Sequence, residues 1–403
     1  MISTESAEGS DPPLRGVRVL DFGQFIAGPL CAALLADFGA DVIRVEKPEG
    51  NADRFVQPMG EGWPGGAAYW QVNRNKRSLA LDPFDHDNRA ALDRLLGTAD
   101  VVVVNAPPAT LSAMGLEYER ISQLNPRVIL SICTAYGRNN RLSDLPGFDG
   151  IGQAMSGAAY LSGEAGEPRK SYCHWVDHMT AAFSAFGIMA ALRDRDRTGR
   201  GQIVDASLIH TSVFAMASNL IEEDSLGVGR VGTANRSQLA GPADIYQTRD
   251  GNVLLQVIGK SMFRRCAKLV GRLDWLDDQR FATDEQRGRN SDALNAHMVA
   301  FCSARTTDHC LSEFRAAGLP CAPVNSPAKA LKDPDMEAMR LWTRLPVVGG
   351  VHQALLVQPP VRLSRSAAGV RASAPHLGAH TPEILRELGL DPPSQKAFMK
   401  GIT

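Results

Sequence analysis

The stretch LRGVRVLDFGQFIAGPLCAALLADFGADVIRVEKPEG, from Leu14 to Gly50, decides the fold class by the order of its apolar runs. Val17 to Phe22 is short, apolar and β-branched, which reads as a buried strand. A turn with Gly23 and Gly28 follows, and Pro29 suits the first helical position, where its missing N–H costs nothing. Leu30 to Phe38 is then an apolar helix closed by Gly39, and Asp41 to Glu46 (DVIRVE) is the next strand. Strand, helix and strand in close succession predict two parallel neighbours joined by a helical crossover.

Outward from this unit the pattern repeats. Arg77 to Asp82 reads as a strand, His86 to Leu96 as a helix, and Val101 to Val104 and Arg127 to Ile132 as further strands. Runs this apolar fit strands buried on both faces, so an α/β, Rossmann-like large domain with a parallel sheet is expected. An alanine-rich helix over Met179 to Leu192 ends in the polar RDRDRTGRGQ. The pattern changes after it. Ala243 to Val257 reads as a hairpin turned at Arg249-Asp250-Gly251, with helices at Ser261 to Val270 and Leu294 to Cys302. The expected organisation is a disordered lead-in over 1–13, a large domain from 14–210, a linker at 211–224 and a smaller α+β domain at 225–325. The remainder, 326–403, is expected to be a linker and a C-terminal part returning to the large domain, with a helix at Thr381 to Leu388.

Composition removes several classes of function. The net charge is −1 and charged residues make up 22%, so no bulk basic surplus draws nucleic acid or an anionic membrane surface. No stretch approaches the length of uncharged apolar residues that spans a bilayer. The seven cysteines are scattered without a Cys-x-x-Cys pair, which reads as reduced thiols and a cytoplasmic setting. His174 and His178 have the spacing to share a metal, but further ligands are not identifiable, so no metal is expected.

The first βα turn invites a nucleotide reading and fails it. Gly23 and Gly28 have the spacing of a P-loop's outer glycines, but Pro29 stands where the lysine belongs, and Gly-x-Gly-x-x-Gly is absent. The informative carboxylate is Asp177, in HWVDHMTAAF just before the alanine-rich run. There it sits near a helix N-terminus, where free amides and the dipole favour an anion. On these grounds alone it is either a helix cap or a catalytic group.

Four blocks together resemble the class III CoA-transferase family, the formyl-CoA and carnitine CoA-transferase type, in a superfamily shared with α-methylacyl-CoA racemase. They are Leu14 to Gly50, NRNKRSLALD at Asn73 to Asp82, the Asp177 helix running into RTGRGQIVDASL at Arg197 to Leu208, and HLGAHTPEILRELGL at His376 to Leu390. The resemblance makes Asp177 the nucleophile of an acyl-CoA:carboxylate CoA-transfer that passes through an aspartyl–acyl anhydride and a covalent CoA thioester. It points to CoA contacts at Phe25, Ile26, Ala27, Lys47, Leu81 to Phe84, Asn105, Thr134, Ala135 and Tyr136. Ala113 and Thr134 depart from relatives that carry basic residues there. Arg74, Lys76 and Arg77 form a basic cluster that either holds CoA phosphates or pairs with acids across a subunit contact. Glycine-rich backbone at Gly227 to Gly232 is a candidate source of oxyanion donors. The family implies an acyl-CoA donor and a carboxylic acid acceptor as substrates, no permanently bound cofactor, and an intertwined homodimer.

Two rival functions use the same residues differently. A racemase or isomerase needs an acid–base pair beside the thioester, and racemases carry histidine in a Gly-His-Asp loop. The matching loop is Pro146-Gly147-Phe148-Asp149, and Phe148 cannot take a proton. A non-catalytic CoA-binding protein would not need Asp177.

Overall fold

The protein is described from a computed structural model; residues 11–56, 59–60, 63, 65–347 and 353–390 are described. Residues 1–10 of the expected disordered lead-in lie outside that set.

A six-stranded parallel sheet carries the first unit, built from β1 (Arg18–Asp21), β2 (Asp41–Glu46), β3 (Lys76–Ala80), β4 (Val101–Val104), β5 (Ile129–Thr134) and β6 (Ile203–Ser207). Their spatial order is β3-β2-β1-β4-β5-β6, the doubly wound order in which the chain reverses direction between β1 and β4. The α/β fold expected from the apolar runs is therefore present. β6 escapes a reading by apolar runs, because its IVDAS sequence is short and its strand is half exposed at the sheet edge. Helix α1 (Ala27–Asp37) makes the first crossover and starts three residues before the expected apolar run.

Alternation along the strands divides the core in two. Leu20, Ile43, Leu79, Val102 and Leu130 pack on one face with Leu92 and Leu95, from the helix Arg89–Gly97, and with Ile384 and Leu385. Val19, Val42, Val101, Val103 and Ile129 pack on the other face with α1. Each strand contributes to both faces because its side chains alternate. The outer edge of β3 is closed by the C-terminal part. His380 Nδ1 accepts from Ser78 N at 3.1 Å and Thr381 Oγ1 from Ala80 N at 2.9 Å, just where the helix Thr381–Glu387 begins. Strand amides that would otherwise recruit another chain are thereby satisfied.

The chain divides into two compact units: 1–156, 171–221 and 339–403 form one, and 157–170 with 222–338 form the other. The segment 211–224, read from sequence as a linker, runs through two helices, Leu208–Ala215 and Ala217–Leu226. The second unit holds an antiparallel sheet of β7 (Ala243–Gln247), β8 (Asn252–Gln256) and β9 (Cys321–Pro323). Phe263, Trp275, Phe281 and Phe314 fill its separate core. Gly227 and Gly229 in this unit have positive φ angles, 56° and 64°.

Candidate active site

In doubly wound sheets the crevice at the carboxyl ends of the strands opens where the strand order reverses. A cavity of roughly 250 Å³ lies there, lined by the turns after β1, β4 and β5 and by Asp177. The turn after β1 is held tightly. Asn105, just past β4, accepts from Gln24 N and donates to Gln24 O, both at 2.7 Å. Phe25, the next residue, has φ 61°, a conformation that a bulky side chain adopts only when its surroundings impose it. Gly28 suits this closeness, since a Cβ there would stand 3.1 Å from Asn105 Cγ and press on the side chain that holds the turn.

Beneath the turn lies a buried ion network. Arg44 on β2 is fully buried, grips both oxygens of Asp53 at 3.0 and 2.8 Å, and donates to Gly23 O at 3.1 Å. Lys76 on β3 donates to Asp21 Oδ2 at 2.7 Å and to Pro29 O at 2.8 Å. The carbonyls at both ends of the turn are thus held by buried cations. Burial pulls the Lys76 pKa down to about 8, against the opposing pull of Asp21. This corrects the reading of the basic cluster in Asn73 to Asp82. Arg74 pairs with Asp37 at 2.5 Å and Lys76 with Asp21, both deep in the unit, and Arg77 pairs with Asp41, Glu383 and Glu387. Their charges are spent on internal acids, so neither a CoA phosphate nor a second subunit is needed to explain them.

Asp177 lies in the first turn of the helix Trp175–Thr198, which begins four residues before the sequence suggested. Its residue is 8% exposed and lines the cavity. The cap alternative is answered by a residue the sequence reading did not assign. Asp149 opens the short helix Asp149–Met155, and its Oδ2 accepts from Val176 N at 2.8 Å and Asp177 N at 3.2 Å. The helix is capped by a carboxylate from another element. The Asp177 carboxylate has no hydrogen-bond partner among the described residues, and burial, with the nearby Asp149 charge adding to it, raises its pKa to about 7. A carboxylate that is buried, open to a cavity and weakly stabilised as an anion is suited to attack an electrophile.

Phe25, Ile26, Ala27, Asn105, Thr134 and Ala135 all line the cavity with Asp177. Lys47 lies just outside, its ammonium 5.0 Å from the centre of the Phe84 ring, which is itself in the wall. Leu81 and Tyr136 do not line it. Leu81 is fully buried in the sheet core, backbone included, and is not open to a ligand. Trp175 packs beside Ala27, Val176 and Leu208, outside the cavity wall. Phe22, Gln24, Cys133 and Phe148 are wall residues that the sequence reading passed over, apart from the position of Phe148 in its loop. Phe148 is 59% exposed and meets Phe25 edge to face at 5.1 Å, so the place of a racemase histidine is filled by an aromatic contact.

His178 Nδ1 lies 2.7 Å from the carbonyl of His174, which gives the pair a local bond. Among the described residues, no group of three metal-ligating side chains occurs, and no helix is long and apolar enough to cross a membrane.

Known proteins resemble the chain throughout. The succinyl-CoA–D-citramalate CoA-transferase of Chloroflexus aurantiacus is 33% identical over 389 residues, covering 95% of this chain and 96% of that protein. The succinate–glutarate CoA-transferase of Agrobacterium fabrum is 31% identical, with 94% and 96% covered. A solved CAIB/BAIF family protein from Brucella suis superposes with a TM-score of 0.82 at 30% identity, over 94% of this chain and 100% of that one. With residues 14–381 matched to CoA-transferase family III, the chain belongs to that family and is a CoA-transferase.

Proposed function

We propose that the enzyme moves CoA from an acyl-CoA to a free carboxylic acid through covalent intermediates on Asp177. The observation that carries this reading is the buried Asp177 carboxylate, uncapped and facing the cavity at the sheet's reversal point. Ionised Asp177 attacks the thioester carbonyl, the C–S bond breaks, and CoA leaves as thiolate from a mixed anhydride. The thiolate attacks the aspartyl carbonyl, which releases the donor acid and leaves an aspartyl-CoA thioester. The acceptor carboxylate displaces CoA from that thioester, and the thiolate then attacks the acceptor's acyl carbonyl. Asp177 is regenerated, and CoA ends on the new acid.

The cavity mouth supports CoA as the ligand. Lys47 offers charge beside the Phe84 wall, and the Phe25–Phe148 pair offers apolar surface for the thioester arm. The relatives' names pair succinyl-CoA with D-citramalate and succinate with glutarate, so succinyl-CoA is the first donor to test here.

The experiment is mass spectrometry of enzyme mixed with succinyl-CoA and a panel of other acyl-CoAs, then quenched with hydroxylamine. Expected is a hydroxamate on Asp177 and on no other acid. Because the attacking form is ionised and its pKa is raised to about 7, the labelling rate climbs as pH rises through about 7 and levels above it. Label on another residue, or none from any donor, removes the covalent mechanism.

A homodimer, intertwined as in the family, belongs to the same reading. Phe186 is 74% exposed, Ile221 64% and Phe214 63%, on three helices of the first unit, and Phe183 meets Phe214 at 5.4 Å. An apolar face of this kind is characteristic of subunit contacts. Sedimentation is expected to give twice the chain mass at micromolar concentration; a monomer would contradict it.

A further inference from the structure

The helix Trp175–Thr198 presents the free amides of its first turn to two carboxylates, Asp177 of its own and Asp149 of the helix Asp149–Met155. Asp149 takes them, through the bonds from Val176 N and Asp177 N. Asp149 is itself held in place. Gln153 donates to its other oxygen, and Gln153 Oε1 accepts from Ser171 N at 2.7 Å, so the strand of chain leading into the helix is tied to the same group. Asp149 and Gln153 are both buried. The short helix they belong to is pressed close: a Cβ on Gly152 would stand 2.8 Å from Val176 Cγ1 and 3.1 Å from Leu208 O.

A carboxylate in the first turn of a helix is ordinarily drawn to its amides by hydrogen bonding and by the dipole. Asp149 engages the amides of Val176 and of Asp177 itself, and these two donors are therefore not open to the Asp177 carboxylate. We propose that Asp149 is the positioning residue of this site: it caps the helix in place of Asp177 and so leaves the Asp177 carboxylate unbound, open to substrate and poorly stabilised as an anion. The proposal rests on Asp177 being the nucleophile. The titratable groups that bear on Asp177 are Asp149 and Cys133, whose thiol is pushed up to about 11 by burial and stays neutral. The Asp149 charge is therefore the one a single substitution can remove.

The test uses the full chain, an acyl-CoA that labels the wild type, and the variants Asp149→Asn and Asp149→Ala. Circular dichroism, CoA affinity and the pH dependence of Asp177 labelling are the readouts. Asp149→Asn keeps an acceptor for both amides and removes the charge, so the inflection is expected to fall by about one pH unit or more. Its rate at pH 8 stays within about tenfold, the loss coming from Gln153, whose amide cannot serve both the new NH₂ and Ser171 N. Asp149→Ala frees the amides to Asp177, and labelling is expected to slow about 100-fold or more while CoA affinity changes less than about threefold. A merely structural role would lose fold, affinity and rate together in Asp149→Ala; that result overturns the proposal, as does wild-type behaviour of both variants. Should Asp149→Ala fail to fold, Asp149→Ser, whose shorter side chain cannot reach both amides, takes its place in the same comparison of labelling rate against CoA affinity. Absence of label in the wild type is a different failure, which removes the nucleophile reading and this proposal with it.

Discussion

Asp177→Asn is expected to lower kcat by on the order of 10⁴-fold while leaving acyl-CoA binding within a few-fold. The amide fills the same volume beside the cavity, but it is a poor nucleophile and cannot form the anhydride. Steady-state turnover and CoA affinity on the same preparation check this; full turnover by the variant would end the covalent mechanism. The variant also carries a signature in stability. The folded pKa of Asp177 is raised to about 7, so the folded state binds a proton more readily than the unfolded one. That contribution to stability is fully present below the unfolded carboxylate pKa and is lost as pH rises through about 7. Ionising the buried carboxylate thus destabilises the wild type above neutrality, and the asparagine variant escapes it. Its advantage in denaturant unfolding is expected to be larger at pH 8 than at pH 5.

Arg44→Met is expected to have the largest effect on stability, about 3–5 kcal/mol, because it removes one partner from a buried ion network. Arg44 holds both oxygens of Asp53, lies 3.2 Å from Glu46 and 3.7 Å from Asp21, and its guanidinium is 5.3 Å from the centre of the Tyr69 ring. Glu46 would keep Arg54 at 2.6 Å and Asp21 would keep Lys76, but Asp53 would lose its bidentate partner in the interior. The variant would also release Gly23 O, the first carbonyl of the turn that lines the cavity. Denaturant titration and the KM for acyl-CoA measure the two effects. A loss of less than about 1 kcal/mol would mean that the network is as weak as an exposed ion pair.

The legible and illegible parts of this protein separate by range. The doubly wound sheet was readable because each strand announces itself locally: VVVV at Val101–Val104 and DVIRVE at Asp41–Glu46 are buried on both faces and need no partner to be recognised. The antiparallel pair Ala243–Gln247 and Asn252–Gln256 was readable from its turn for the same reason. Strand Ile203–Ser207 was not, since an edge strand keeps polar residues that a buried one excludes. Among the candidate site residues, Phe25 lies in the turn after β1, Asn105 directly follows β4, Thr134 ends β5 and Asp177 lies in the first turn of a helix, so the order of elements places them at one end of the sheet. Leu81 shares that neighbourhood in sequence yet points into the core, because side-chain alternation along the strand continues past its last residue.

Local apolar runs and their order were enough for the fold class, and the order of four motif blocks was enough for the family resemblance that singled out Asp177. Those properties depend on local composition and on the order of motifs along the chain. What the tertiary structure decided is the state of that carboxylate. Whether Asp177 caps its own helix or stands free turns on Asp149, which lies 28 residues away and reaches the helix from a separate element. The fate of Arg74, Lys76 and Arg77 was likewise settled by Asp37, Asp21 and Asp41, acids brought in from neighbouring strands and α1. Hydrogen bonds and buried ion pairs act only across a few ångströms, so which groups share them is a property of the folded chain and not of its spacing in sequence.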